Sequence, residues 1–163
     1  MASKRIRFEM ARGTEDSRTM IHLVQGFIQR VDVLRRKAHF GDMDQAIIAG
    51  MVGVGGIEHM IRVPEFRESF GDYRTVVGVE GQRGVNALSI SEATGIPRET
   101  VRRKLKELVA RGVIMEKERG RYIMKPGFTQ KPENDAALQQ VLGHFLQLMN
   151  EAVNLGIVKV AEN

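Results

Sequence analysis

A chain of 163 residues, 42% of them apolar, is long enough for one or two small domains. It has no cysteine, which excludes disulfides, thiolate metal sites, iron–sulfur clusters and a cysteine nucleophile. Its formal charge is +5, no run of ~18 apolar residues offers a membrane span, and the opening MASKRIRFEMARGTEDSR lacks the apolar stretch of a secretion signal, so the expectation is a cytoplasmic protein without membrane contact.

In chain order, residues 1–13 are basic without periodicity and read as a flexible basic arm. From Glu15 to Lys37 the spacing predicts a helix with Met20, Val24, Phe27, Ile28, Val31 and Leu34 on one face, capped by Thr14 or Ser17. A second helix is expected from Asp42, as its cap, to about Arg62. Gly50, Gly53, Gly55 and Gly56 each weaken it by ~1 kcal/mol relative to alanine, a cost that close packing against another helix would offset. Its GVGG is not a phosphate loop, because no GK[ST] follows and no strand precedes it. Pro64 to Phe70 suggests one short helical turn, and Gly71 to Gly84 a linker.

The most informative stretch runs from Val85 to Pro126. Asn86 caps a short helix from Ala87 to Thr94, and Gly95 supplies the φ > 0 residue that a tight helix–helix turn needs. Pro97 opens a second helix, where its missing N–H costs nothing. Val101, Leu105 and Leu108 form its apolar stripe, Glu99, Arg103 and Lys106 lie opposite, and Gly112 ends it. Val113–Lys117 and Arg121–Lys125 then read as two strands joined through Gly120, a wing, with 83–85 as a short first strand beside it. Charge gathers on the same stretch: residues 95–125 hold ten basic and four acidic side chains, whereas 41–94 sum to −4 and 132–163 to −3. The first 40 residues carry +5. A polyanion is the natural partner.

The segment ISEATGIPRETVRRKLKELVARGVI resembles the DNA-binding module of bacterial winged helix-turn-helix transcriptional regulators, the broad group of MarR-, GntR- and CRP-like proteins. The resemblance rests on Ile90, Ser91, Gly95, Ile96, Val101, Leu105, Leu108 and Gly112 and covers about a quarter of the chain. Thr94 and Lys104 depart from it, standing where apolar residues are usual. It implies a sequence-specific DNA-binding transcriptional regulator, with the helix 97–111 in the major groove and the wing 113–125 on the backbone or minor groove.

The residues expected to touch DNA are Ser89, Ser91, Pro97, Arg98, Glu99, Thr100, Arg102, Arg103, Lys106, Lys117, Arg119 and Arg121. Arg98, Arg102 and Arg103 can donate bidentate bonds to guanine, and Glu99 can accept from the cytosine amino group. Thr100, Lys106, Ser89 and Ser91 suit phosphates, Arg119 the minor groove, and Lys117 and Arg121 the backbone.

A last helix, expected over 133–157 with Gly156 as its stop, carries a wide apolar face of Leu138, Val141, Leu142, Phe145, Leu148, Met149 and Ala152, widened by Leu146 and Val153. The predicted architecture is therefore mainly α with a small β-wing. A winged helix-turn-helix domain over 83–126 is flanked by a helical N-terminal region over 14–70, for dimerisation or an effector, and by a C-terminal helix packing on the N-terminal helices. The resemblance implies a homodimer on double-stranded DNA and leaves room for a small-molecule effector among the terminal helices and the glycine-bearing helix. The histidines His22, His39, His59 and His144 are scattered, and no nucleophile elbow, dinucleotide fingerprint or HExxH spacing occurs, so neither catalysis nor a metal or cofactor is expected. The rival readings are an architectural or replication-associated DNA-binding protein, and a winged helix used for protein contacts.

Overall fold

The computed structural model describes residues 6–37 and 42–162; residues 1–5 of the expected arm, and His39, lie outside them. In chain order the elements are β1 (Ile6–Met10), a 3-10 turn (Gly13–Asp16), α1 (Ser17–Arg35), α2 (Met43–Ile57) and α3 (Pro64–Phe70). They continue with β2 (Val85–Asn86), α4 (Ala87–Thr94), α5 (Arg98–Ala110), β3 (Ile114–Glu118), β4 (Arg121–Met124), α6 (Pro132–Asn154) and β5 (Val158–Glu162). The chain is mainly helical with a small β-wing, as expected, together with a two-stranded sheet of β1 and β5 that was not, and it divides into a unit of residues 35–136 and a discontinuous unit made from both ends.

In the unit 35–136, the order α2–β2–α4–α5–β3–β4 is that of a winged helix. Its three strands lie in the order β2–β4–β3, all antiparallel, with Val85 opposite Tyr122 and Ile114 opposite Met124. The core collects Ile48, Ala49 and Val52 of α2, Ile90 of α4, and Val101, Leu105 and Leu108 of α5. Val113 and Ile114, entering the wing, complete it. Helix α2 starts where expected, with the Asp42 carboxylate accepting from the Gln45 N–H, but it ends at Ile57 rather than near Arg62.

Two of the α2 glycines, Gly53 and Gly55, allow close approach to the sheet, while a Cβ on Gly50 would meet the Arg35 guanidinium at 2.8 Å and one on Gly56 would meet Gln82 Oε1 at 3.4 Å. A Cβ on Gly55 would lie 2.9 Å from Val85 Cγ2, and one on Gly53 3.2 Å from Met124 Cε. Helix α2, grouped with α1 in the expected division, therefore has its buried face inside the winged unit. The same tightness recurs at Gly84, where an added Cβ would meet the Arg121 Cβ at 2.5 Å. Gly84→Ala should lower stability by ~1–3 kcal/mol, as overpacking does, read as a lower urea midpoint with an unchanged slope.

In the unit formed by residues 6–34 and 137–162, β1 pairs with β5 along five residues, Phe8 opposite Val160 and Met10 opposite Val158. Residues 6–10 of the expected arm are thus a strand. Helix α1 begins at Ser17, whose hydroxyl donates to the Thr14 carbonyl at 2.6 Å, and the 3-10 turn before it is fastened by Arg12 gripping Asp16 through two bonds. That guanidinium holds the Asp16 carboxyl below its ordinary range. Phe27 of α1 meets Phe145 of α6 edge-on at 6.0 Å. Burial is sparse: among the described residues of this unit only Asp16, Leu148, Ala152 and Ile157 are buried, and α1 contributes no buried residue from its own length.

Candidate nucleic-acid interface

The turn between α4 and α5 is built by local chemistry. Asn86 caps α4 by accepting from the Ser89 N–H at 2.9 Å, and Gly95 closes the helix in the left-handed region at φ 73°. Thr94, which departs from the apolar pattern, is a fastener: its hydroxyl donates to the Ile90 carbonyl and accepts from the Ile96 N–H. The Ser91 hydroxyl donates to the Ile96 carbonyl at 2.7 Å. These bonds satisfy the polar groups of the turn, so the direction in which α5 leaves it is set by geometry and not left to solvent.

Helix α5 then separates its chemistry by face. Val101, Leu105 and Leu108 are fully buried, while Pro97, Arg98, Glu99, Arg102, Arg103 and Lys106 are exposed and Thr100 is half-buried. Two of the arginines are held along the helix, Arg102 by Glu99 at 2.7 Å and Arg103 by Glu107 at 2.8 Å. Exposed pairs of this kind are worth ~0–1 kcal/mol, so a phosphate or base edge can replace the carboxylate at little cost. Arg98 and Lys106 make no ion pair or hydrogen bond among the described residues.

The second departure from the apolar pattern, Lys104, is the key to how α5 is fixed. It is 8% exposed, and its ammonium meets the Asp42 carboxylate at the start of α2, with Glu107 3.5 Å away. Gln45 extends the clip, donating to Glu107 at 2.6 Å and accepting from Arg111 at 2.7 Å. The Lys104 bond holds the Asp42 carboxyl below its ordinary range, and the Asp42 bond raises the Lys104 ammonium. Burial pushes the Glu107 carboxyl up, but hydrogen bonds from Arg103 and Gln45 and the Lys104 charge outweigh it, and the net shift is downward. Asp42 and Gln45 are positioning residues that sequence reasoning missed. The available signal was a lysine on the buried side of α5, which needs a carboxylate partner.

The sign of the clip's pH dependence follows from the two shifts. The Asp42 share of stability is present above the ordinary 3.8 and is lost as pH falls through its lowered value. The Lys104 share is present below the ordinary 10.5 and is lost as pH rises through its raised value. Lys104→Gln should therefore cost ~1–2 kcal/mol near neutral pH, less than the 3–5 kcal/mol of a broken buried pair because the Asp42 side chain is 36% exposed. The variant should also lose less stability than the parent between pH 5 and pH 2, measured by urea midpoints across that range.

On the wing, Arg119 and Gly120 form the tip, with Gly120 at φ 73° and its N–H donating to Glu116. Arg119 is exposed and unpaired among the described residues. Lys117, expected on the DNA backbone, sits at the β-bulge and turns inward, donating to the Val79 and Gln82 carbonyls at 3.1 and 2.9 Å. Arg121 donates to the Gly84 carbonyl at 3.1 Å while staying exposed. Ser89 is exposed on α4. The arrangement thus groups Arg98, Glu99, Arg102, Arg103 and Lys106 on one helix face and draws Lys117 into the protein's own loop. Side chains of Met124, Val85 and Gln82 lie against Gly53, Gly55 and Gly56 of α2, and the Arg35 guanidinium against Gly50.

No helix among the described residues is long and apolar enough to cross a membrane. Residues 83–160 match the family model of the Firmicute plasmid replication protein (RepL). The match supports a DNA-binding winged helix, but the model matched is not that of a MarR-, GntR- or CRP-like regulator, so the narrower resemblance is not upheld. No curated protein and no solved structure gives a match to this chain.

Proposed function

We propose that this protein is a replication-associated DNA-binding protein that seats α5 in the major groove of a duplex site and rests its wing on the adjacent backbone or minor groove. The observation that carries the reading is the division of α5: three fully buried aliphatic residues on one side, and four exposed cations, Arg98, Arg102, Arg103 and Lys106, on the other. A helix anchored in this way presents guanidinium groups that can donate bidentate bonds to guanine, with Glu99 available to a cytosine amino group. Arg119 at the wing tip and Ser89 on α4 add contacts to phosphate and sugar. The role is one of binding and positioning, without a catalytic step of its own.

The same docking would serve a transcriptional regulator, and the similarity of residues 83–160 to a plasmid replication family favours replication over it. Selection of bound sequences from random duplex DNA separates the readings. A replication protein should enrich one site and prefer it by ~10³ or more over random DNA at physiological salt, and that site should support maintenance of a plasmid when the protein is supplied. An architectural protein would enrich nothing, and enrichment of a site that controls transcription without supporting maintenance would return the regulator reading. Binding that is absent, or insensitive to salt, would defeat all three and leave a winged helix used for protein contacts.

A further inference from the structure

The β3–β4 hairpin changes character along its length. On the sheet face that meets the helices, Ile114 and Met124 are register partners that belong to the core or pack against it, and the next pair outward is Glu116 with Tyr122. Over that step β3 passes from buried at Ile114 to exposed at Glu116. Tyr122 therefore stands at the rim of the core. Its ring packs against the aliphatic cluster of α2, α4 and α5. Its hydroxyl makes no hydrogen bond among the described residues, yet it is not sealed from water, so it opens to solvent. The charges of Glu116, across the hairpin, and of Arg102, on α5, both act on this phenol. Glu116 accepts from the Gly120 N–H and Arg102 holds Glu99, and neither is hydrogen-bonded to the hydroxyl. A donor is thus left open between the exposed face of α5 and the wing tip at Arg119 and Gly120.

We infer that the Tyr122 hydroxyl donates a hydrogen bond to a phosphate of the bound duplex, on the strand that passes between α5 and the wing. The inference rests on the docking proposed above and adds a contact to it. With α5 in the major groove and the wing on the neighbouring backbone or minor groove, what separates the two in a duplex is a sugar–phosphate strand. A side chain lying between helix and wing therefore faces phosphate rather than base edges. Phosphate oxygens only accept, and a phenol supplies the O–H they need. Burial, with Glu116 adding to it and Arg102 opposing more weakly, pushes the Tyr122 phenol above its ordinary 10.0, so the proton is in place at neutral pH. The ring is already clamped by the core, so forming the bond orders little that was free before.

Tyr122→Phe keeps the ring and removes only the donor. Its urea midpoint should equal the parent's, because the hydroxyl bonds nothing within the free protein. Its affinity should fall ~3–10-fold, alike on the selected site and on a scrambled duplex. The slope of log affinity against log salt should not change, because an uncharged donor releases no counterion, whereas a lost cation lowers that slope. A methylphosphonate placed in turn at each phosphate of the selected site should find a position where the parent's loss exceeds the variant's by ~3-fold or more. A Tyr122→Phe chain that binds like the parent, or one that changes its preference between the two duplexes, would overturn the contact. So would a lowered urea midpoint, which would put the hydroxyl's partner inside the protein. A parent without salt-dependent duplex binding would overturn the docking and this contact together, while normal parent binding beside an unaffected variant would overturn the contact alone.

Discussion

Arg103→Ala is expected to weaken binding to the selected DNA site by ~10–100-fold and to relax the preference for one base pair, while Arg119→Ala weakens all duplexes nearly alike. The first effect follows from position. Arg103 lies on the side of α5 opposite Leu105, and only an exposed pair with Glu107 restrains it. A bidentate contact to guanine is worth ~1–3 kcal/mol of discrimination, against ~0–1 kcal/mol for the pair it replaces, so the exchange favours DNA. Arg119, exposed at the wing tip, is expected to meet backbone and sugar, which carry no sequence. Its loss should lower the slope of log affinity against log salt by about 1, one phosphate contact fewer. Fluorescence anisotropy titrations at several salt concentrations, on the selected site and on a scrambled one, measure both. Unchanged affinity, preference and slope in two folded variants would remove the docking from consideration.

Leu105→Ala should be the most damaging single change to the winged unit, at ~2–5 kcal/mol. Leu105 is fully buried among Ile48, Ile90, Val101 and Leu108, so truncation leaves a cavity where α2, α4 and α5 converge. Domains of this size have ~5–15 kcal/mol in total, and a loss at the upper end would leave a large unfolded fraction at growth temperature. DNA binding would then fall with the folded population, with no change in site preference. Urea melts followed by circular dichroism read the first effect and titrations the second. A cost below ~1 kcal/mol would mean that α5 does not pack by this side, and the outward placement of its arginines would go with it.

The winged unit was largely legible from residues alone because its signals are local. Asn86, Gly95, Gly112 and Gly120 each act within a few residues, and all three glycines take positive φ where a turn was expected. The terminal strands are not legible in this way: IRFEM alternates apolar and polar residues, but VKVAE breaks the alternation at Ala161. Two five-residue runs at opposite ends of a chain give no sign that they belong together until folding pairs them. Lys117 was assigned to DNA by charge, yet its ammonium serves two carbonyls of the preceding loop, a contact set by tertiary geometry over more than thirty residues. The fate of Lys104 and the role of Asp42 were hidden for the same reason, because an ion pair between α2 and α5 has no periodicity to read.

The antiparallel zipper between residues 6–10 and 158–162 encloses the entire winged unit within its loop of chain. During translation residues 35–136 are made before residues 158–162, so the winged unit can finish folding while β1 still lacks its partner strand. A chain cut short anywhere between residues 137 and 157 would hold the whole of residues 35–136 but leave β1 unmatched, and it is expected to keep the DNA binding proposed for the winged unit while lacking the terminal ribbon.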